Sequence, residues 1–391
     1  MTEKKYDFNR SRLLHLPILF ALMLSTTLSA CAVDMAAAGD LDPAAADYLP
    51  LPGDDLKISS PADQGLDPDL IESIYKKARK LDTLYGMIVI KNGYLVAEEY
   101  FNGSDINHQT LMASVSKSYI SALIGLALEQ GCLESLDQKM IEFFPEYADQ
   151  ITDPQKETIT IRHLLQMRSG YPWEEIHPDL MAAMWAGDNP PMIVHFPLTA
   201  PPDTTFQYSN LTSAWLSAIV SKSCQTNLKD FSEEYLLDPL GVVPGEFWPN
   251  MYDNYYPLFH LSARDAAKFG LLYLNGGEYA GEQILPADWV EDSLQTYTFN
   301  VSTGAPQNGK IGRYFREIGY GYQWWSARVG EHRFNYAAGH GGQLIILLHD
   351  LDMVIVTKAD PFFMQHDGEA WKHEKSIINL VGKFISSLPA E

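Results

Sequence analysis

Two stretches decide the fold: YGMIVIKNGYLVAEEYF at 85–101, and SVSKSYISALIGLALEQG at 114–131. In the first, Tyr85 to Lys91 and Tyr94 to Phe101 are apolar or β-branched runs joined at Asn92-Gly93. Both residues of that dipeptide accept positive φ, so the pattern predicts a β-hairpin. In the second, Ile120, Leu123, Ile124, Ala127 and Leu128 recur at helical spacing over Lys117 to Gln130, and Gly131 suits a C-cap. A hairpin therefore feeds the most apolar helix of the chain.

Working outward, Leu70 to Leu81, Ile159 to Met167, Ser213 to Ser223, Arg264 to Leu274 and Lys375 to Ser386 read as helices. Gly321 to Ser326, Arg333 to Ala338, Leu344 to His349 and Met353 to Lys358 read as strands. The N-terminal hairpin and the C-terminal strands can share one antiparallel sheet, with the middle as a helical insertion. No internal repeat is present.

The chain has 391 residues, enough for two or three domains or one large bilobal domain. Its 46% hydrophobic and 12% aromatic content supports a sizeable core. The 50 Asp+Glu against 28 Lys+Arg give a net charge of −22, which argues against nucleic acid or anionic lipid as a partner. Three cysteines are too few for a disulfide scaffold. No run of about 20 uninterrupted apolar residues occurs, so no ordinary membrane span is expected.

The beginning reads as an export address. Lys4, Lys5, Arg10 and Arg12 precede an apolar run from Leu16 to Leu24, and small residues follow. The run ends Leu28-Ser29-Ala30-Cys31, which is similar to the bacterial lipobox. That resemblance implies a signal peptide over 1–30 and a lipid-anchored Cys31, hence a protein exported to the periplasm or cell surface and held at a membrane. An ordinary cleaved signal is the alternative. Residues 31–61, rich in Ala, Asp and Pro, read as a flexible tether spanning roughly 30 Å. Cys132 and Cys224 lie on or beside predicted helices and are expected as buried thiols. A disulfide between them would need Cα atoms within about 7 Å.

Three motifs could carry chemistry. Ser114 and Lys117, three residues apart at a helix start, share a face. A serine hydroxyl needs a neighbouring base. A lysine can be that base when burial and a helix N-terminus destabilise its ammonium. On residues alone, Ser114 reads equally as an N-cap and Lys117 as a surface lysine. Tyr208-Ser209-Asn210 follows a Pro-rich turn; a tyrosine beside a lysine can relay a proton, and the asparagine can hold the lysine or a substrate carbonyl. Gly339-His340-Gly341-Gly342-Gln343 joins two strands, where glycines admit a substrate to the backbone and a free N–H can face an oxyanion. A core tyrosine and a simple tight bend are the plainer readings of these last two.

In this order and setting the motifs resemble the serine β-lactamase and penicillin-recognising superfamily, nearest its class C, esterase and 6-aminohexanoate-dimer hydrolase branch. Thr160-Ile161-Arg162-His163-Leu164-Leu165 with Ser169-Gly170, Leu261-Ser262-Ala263-Arg264-Asp265 through Gly276-Gly277, Ile284-Leu285-Pro286 with Trp289, and Gly319-Tyr320-Gly321-Tyr322-Gln323-Trp324-Trp325 extend the likeness over about 62–388. It implies an α+β, β-lactamase/transpeptidase-like fold: an antiparallel sheet from about 85–101 and 319–388, and a largely helical lobe over about 114–310. It implies Ser114 as nucleophile, Lys117 as general base or its electrostatic partner, Tyr208 as proton relay, Asn210 as orienting group, and the backbone N–H groups of Ser114 and Gln343 as oxyanion hole. His340, Gly341 and Gly342 would contact substrate, and Tyr171, Trp173, Trp185 and Trp324 would line the pocket or else pack in the core. β-Lactam-degrading members carry lysine where this chain has His340, which favours small esters or amides over β-lactams as substrates.

A GxSxG elbow is absent, and no HExxH or HxH spacing occurs among the 11 histidines, so neither an α/β-hydrolase, a catalytic metal nor another cofactor is expected. A penicillin-binding-like D-peptidase or β-lactamase acting on cell-wall peptides or β-lactams, and an idle surface lipoprotein that keeps the fold for binding, remain as alternatives.

Overall fold

The computed structural model describes residues 56–173, 196–245, 258–301, 310–362 and 370–390. The leader, Cys31, most of the tether and Trp185 lie outside the described residues. Asn92 (φ 53°) and Gly93 (φ 76°) take the left-handed conformation expected of them, and join β1 (Leu84–Lys91) to β2 (Tyr94–Tyr100). Two short strands in the helical lobe, β3 (Thr110–Leu111) and β4 (His260–Leu261), pair with each other, as do β5 (Glu278–Tyr279) and β6 (Glu282–Gln283). The remaining strands are β7 (Lys310–Ile311), β8 (Phe315–Tyr320), β9 (Trp325–Val329), β10 (His332–Gly339), β11 (Gln343–Leu348) and β12 (Met353–Ala359). With β1 and β2 they form one eight-stranded antiparallel sheet of order β2-β1-β12-β11-β10-β9-β8-β7.

The two ends of the described chain thus share a sheet, with Ile88 opposite Val356. Its central strands are buried on both faces, and side-chain alternation sorts them into two cores. Ile88, Ile90, Ile345, Leu347, Val354 and Val356 face the helical lobe. That lobe packs α2 (Ser116–Glu129), α3 (Ile161–Leu165), α4 (Asn210–Ser223), α5 (Leu228–Ser232), α6 (Ala263–Leu274) and α7 (Ala287–Leu294). Met87, Val89, Leu344, Ile346 and Ile355 face α1 (Pro68–Ala78) and α8 (Ala370–Ile385). A buried bidentate pair, Arg264 of α6 with Glu98 of β2, at 2.8 and 2.7 Å, fastens lobe to sheet. Among the described residues no helix is long and apolar enough to cross a membrane.

Three expectations change. Gly321 to Ser326 is not one strand. The chain leaves β8 at Tyr320, turns with Gln323 at φ 60°, and restarts at Trp325. Gln323 is buried in the helical lobe, where its side chain meets Ser213 and the carbonyls of Leu164 and Leu165 at 2.7 to 3.1 Å. Satisfying a buried amide outweighs continuing the ladder. The helix read from Ile159 starts only at Ile161, because Thr160 caps it by accepting the His163 N–H. Cys132 and Cys224 are not free thiols but form a disulfide, with Cα atoms 5.0 Å apart.

That disulfide joins the C-terminal ends of α2 and α4, which therefore run side by side in the same direction. It closes a separation of 92 residues, for which chain-entropy arguments give a stabilisation of roughly 4 to 5 kcal/mol. Cys224→Ser is expected to lower the unfolding free energy by up to about that amount in denaturant titrations. A reductant should destabilise the wild-type chain but leave the variant unaffected.

Candidate active site

The N-terminal ends of the same two helices meet. After β3 the chain passes Met112 and enters a left-handed residue, Ala113 (φ 47°), before the short turn that presents Ser114. Such a conformation is costly for a non-glycine residue and persists only where neighbours enforce it. Here the neighbour is β10. A Cβ on Gly339 would lie 2.3 Å from the Met112 carbonyl and 3.2 Å from the Ala113 Cβ, so only glycine lets the strand run against this turn.

Lys117 is buried, with 1% of its surface exposed. Its Nζ donates to Ser114 Oγ at 2.9 Å and to Asn210 Oδ1 at 2.6 Å, and stands 4.8 Å from the centre of the Tyr208 ring. Asn210 is the first residue of α4, capped by the Ser209 side chain, which accepts the Thr212 N–H. Tyr208 is buried against Trp173, Trp325 and Tyr320, at ring separations of 5.7, 5.3 and 6.2 Å. The structure thus brings together Ser114, Lys117, Tyr208, Asn210 and Trp173. A lysine amine against a serine hydroxyl is an arrangement able to activate that hydroxyl as a nucleophile.

The glycine motif forms the opposite wall. Gly339 pairs with Gln343 across the turn and abuts Ala113. Gly341 (φ 87°) and Gly342 (φ 101°) are left-handed, and a Cβ on either would come within 2.7 Å of Asp360 and Pro361 or of Ile377. The Gln343 side chain is buried and closes on Ala359, donating to its carbonyl at 2.6 Å and accepting its N–H at 3.1 Å. The side chain of Gln343 is thereby committed to β12. Thr357 Oγ1 donates to the Gly342 carbonyl at 2.7 Å.

A family model described as Beta-lactamase matches residues 78–370. This chain belongs to the Beta-lactamase family. Beta-lactamase-like protein 2 of Dictyostelium discoideum is 23% identical over 235 residues, 56% of this chain and 41% of that protein, so the match spans less than half of that relative. The 6-aminohexanoate-dimer hydrolase of Paenarthrobacter ureafaciens is 25% identical over 286 residues, 69% of this chain and 70% of that enzyme. Among solved structures, a mutant of simvastatin synthase from Aspergillus terreus superposes with a TM-score of 0.61 at 14% identity, covering 83% of this chain and 99% of the other. This last likeness concerns the fold. The antiparallel sheet with flanking helices is the β-lactamase/transpeptidase-like architecture.

Two aromatic residues considered for the pocket of this Beta-lactamase-family site belong to the core instead. Tyr171 is wholly buried with its ring edge-on to Trp215 at 4.5 Å, and Trp324 is wholly buried between Tyr273 and Phe269. Trp325, the neighbour of Trp324, is the ring that stacks on Tyr208: Trp324 ends the turn that Gln323 pins into the helical lobe, and Trp325 begins β9. Among the described residues, no cluster of three or more His, Cys, Asp or Glu side chains forms a metal-binding group.

Lys358 was not visible from any motif. It is buried at the end of β12 and donates to the Thr110 carbonyl at 3.1 Å and to Met112 Sδ at 2.8 Å, so it braces the chain just before Ala113. Burial pushes its ammonium down from 10.5 to about 7. Between those values the unfolded chain binds a proton that the folded chain does not, so this group makes stability rise with pH from about 7 to 10.5. Lys358→Met is expected to remove that rise. Relative to wild type, the variant should gain most at pH 7 and below, and lose the gain toward pH 10, in denaturant melts across that range.

Proposed function

We propose that this protein is a serine hydrolase that works through an acyl-enzyme on small ester or amide substrates. The observation that carries the reading is the buried Lys117 amine 2.9 Å from Ser114 Oγ, with Asn210 as its second partner. In this reading Lys117 takes the Ser114 proton as Oγ attacks the substrate carbonyl. Asn210 holds the amine in line with Ser114 Oγ. The oxyanion forms between the main-chain N–H groups of Ser114 and Gln343, on either side of Gly339. Such donors contribute about two to three orders of magnitude each to turnover. Tyr208, under the Lys117 amine, passes the proton to the leaving group. Water then attacks the acyl-enzyme with the same groups acting in reverse, restoring Ser114.

Replacing Lys117 tests this directly, since a positioned general base contributes about 10²- to 10⁴-fold. Lys117→Ala should lower p-nitrophenyl acetate hydrolysis by that factor while the thermal melt stays cooperative, and Ser114→Ala should abolish labelling by a fluorophosphonate probe. Unchanged turnover in Lys117→Ala would reject its role as base. Labelling of Ser114 by penicillin with slow release would favour a penicillin-binding-like peptidase instead.

We also propose that the chain is exported and anchored through Cys31. The Cys132–Cys224 disulfide supports this, because such bonds persist in oxidising compartments. Expressed in a bacterium, the wild-type chain should fractionate with membranes and incorporate labelled palmitate, and Cys31→Ala should do neither.

A further inference from the structure

We propose that Glu374 makes this site select substrates bearing an ammonium group and reject those bearing a carboxylate. The inference rests on the acyl-enzyme reading and names the substrate class that reading leaves open. Helix α8 lies on the far face of the sheet from Lys117, yet its first turns reach the glycine motif. Glu374 Oε2 accepts the Gly341 N–H at 3.1 Å and stands 3.4 Å from His340 Nδ1. The side chain of His340 is 45% exposed and that of Glu374 16%, so the pair is open to solvent at its edge.

Gly341 is two residues before Gln343, the proposed oxyanion donor, and two Cα steps span at most about 7.6 Å. The carboxylate, 3.1 Å from the Gly341 nitrogen, therefore acts within roughly 14 Å of an oxyanion held by the Gln343 N–H. A carboxylated substrate would need a committed cation on this turn. The basic side chain that the turn supplies is an imidazole, and it already faces Glu374.

One neighbour adds to the same preference. Trp371, 47% exposed, lies one helical turn before Glu374 and so on the same side of α8. Lys372, two before Glu374, lies on another side of the helix, and Lys375, four after Trp371, flanks the indole on the side away from Glu374. An exposed indole beside a carboxylate is a surface that attracts an alkylammonium through both charge and the π face. The chain's −22 charge adds long-range attraction of the same sign.

The test compares kcat/KM for p-nitrophenyl esters of matched size: 4-(trimethylammonio)butyrate, the neutral 5-methylhexanoate and the glutarate monoester. At these separations each charge step is expected to change kcat/KM by about three- to tenfold, with ammonium best and carboxylate worst. Glu374→Gln keeps the amide oxygen that can accept the Gly341 N–H and removes only the charge. It should lower kcat/KM for the ammonium ester and raise it for the glutarate ester, each relative to the neutral ester. The wild-type spread should also shrink at high salt. An equal change for all three esters in Glu374→Gln, or no charge order in the wild type, overturns the proposal while leaving the acyl-enzyme reading standing. Absence of hydrolysis of all three together with absence of fluorophosphonate labelling overturns the acyl-enzyme reading itself, and this proposal with it.

Discussion

The pairing of β12 with β1 and β11 is the constraint on which the rest depends. β12 is buried along its whole length, and it carries the contacts that set both walls of the site. Lys358 reaches from it to Thr110 and Met112, just before the left-handed Ala113 that presents Ser114. Thr357 and Ala359 reach the other way, to Gly342 and Gln343. A single strand end therefore positions the proposed nucleophile and the proposed oxyanion donor from opposite sides. Displacing β12 would move both, and the alternating side chains that hold it belong to two separate cores.

The helical lobe supplies the second set of positions. α2 and α4 run side by side, with Lys117 and Asn210 touching at one end and Cys132 bonded to Cys224 at the other. Both helices bury hydroxyl side chains between these ends, and the turn at Gln323 bonds into each, through Ser118 of α2 to its carbonyl and Ser213 of α4 to its side chain. The aligned N-termini also place two positive helix ends beside Ser114, which favours developing negative charge there. Rigid helices locked at both ends are a means of holding a lysine amine to within a few tenths of an ångström of the geometry that proton transfer requires.

How much of this was legible depends on the range of the signal. Asn92-Gly93, the stripe of α2 and the apolar runs of β11 and β12 are local patterns, and each element appears within a few residues of its expected place. That Ser114, Lys117, Tyr208 and Asn210 gather at one place was also legible, because three motifs in a familiar order are more informative than each alone. The turn at Gly321 to Trp324 was not. Its residues are apolar and aromatic like a strand, and the buried partners that bend it come from Ser213 and Leu164, more than 100 residues away. Tyr171 and Trp324 could not be told from pocket residues, since an aromatic side chain has the same pattern in a core as beside a substrate.

The sequence by itself determined the hairpin, the central helix, the sheet drawn from both ends of the chain and the spacing of Ser114 to Lys117, because periodicity and turn chemistry act over a few residues. Only the tertiary structure decided that Cys132 meets Cys224, that Trp325 rather than Trp324 stacks on Tyr208, that Lys358 braces the nucleophile turn and that Glu374 meets His340 and Gly341. Each of these is a contact between residues far apart in the chain. Such contacts are selected by how two cores pack against one sheet, and no local pattern encodes them.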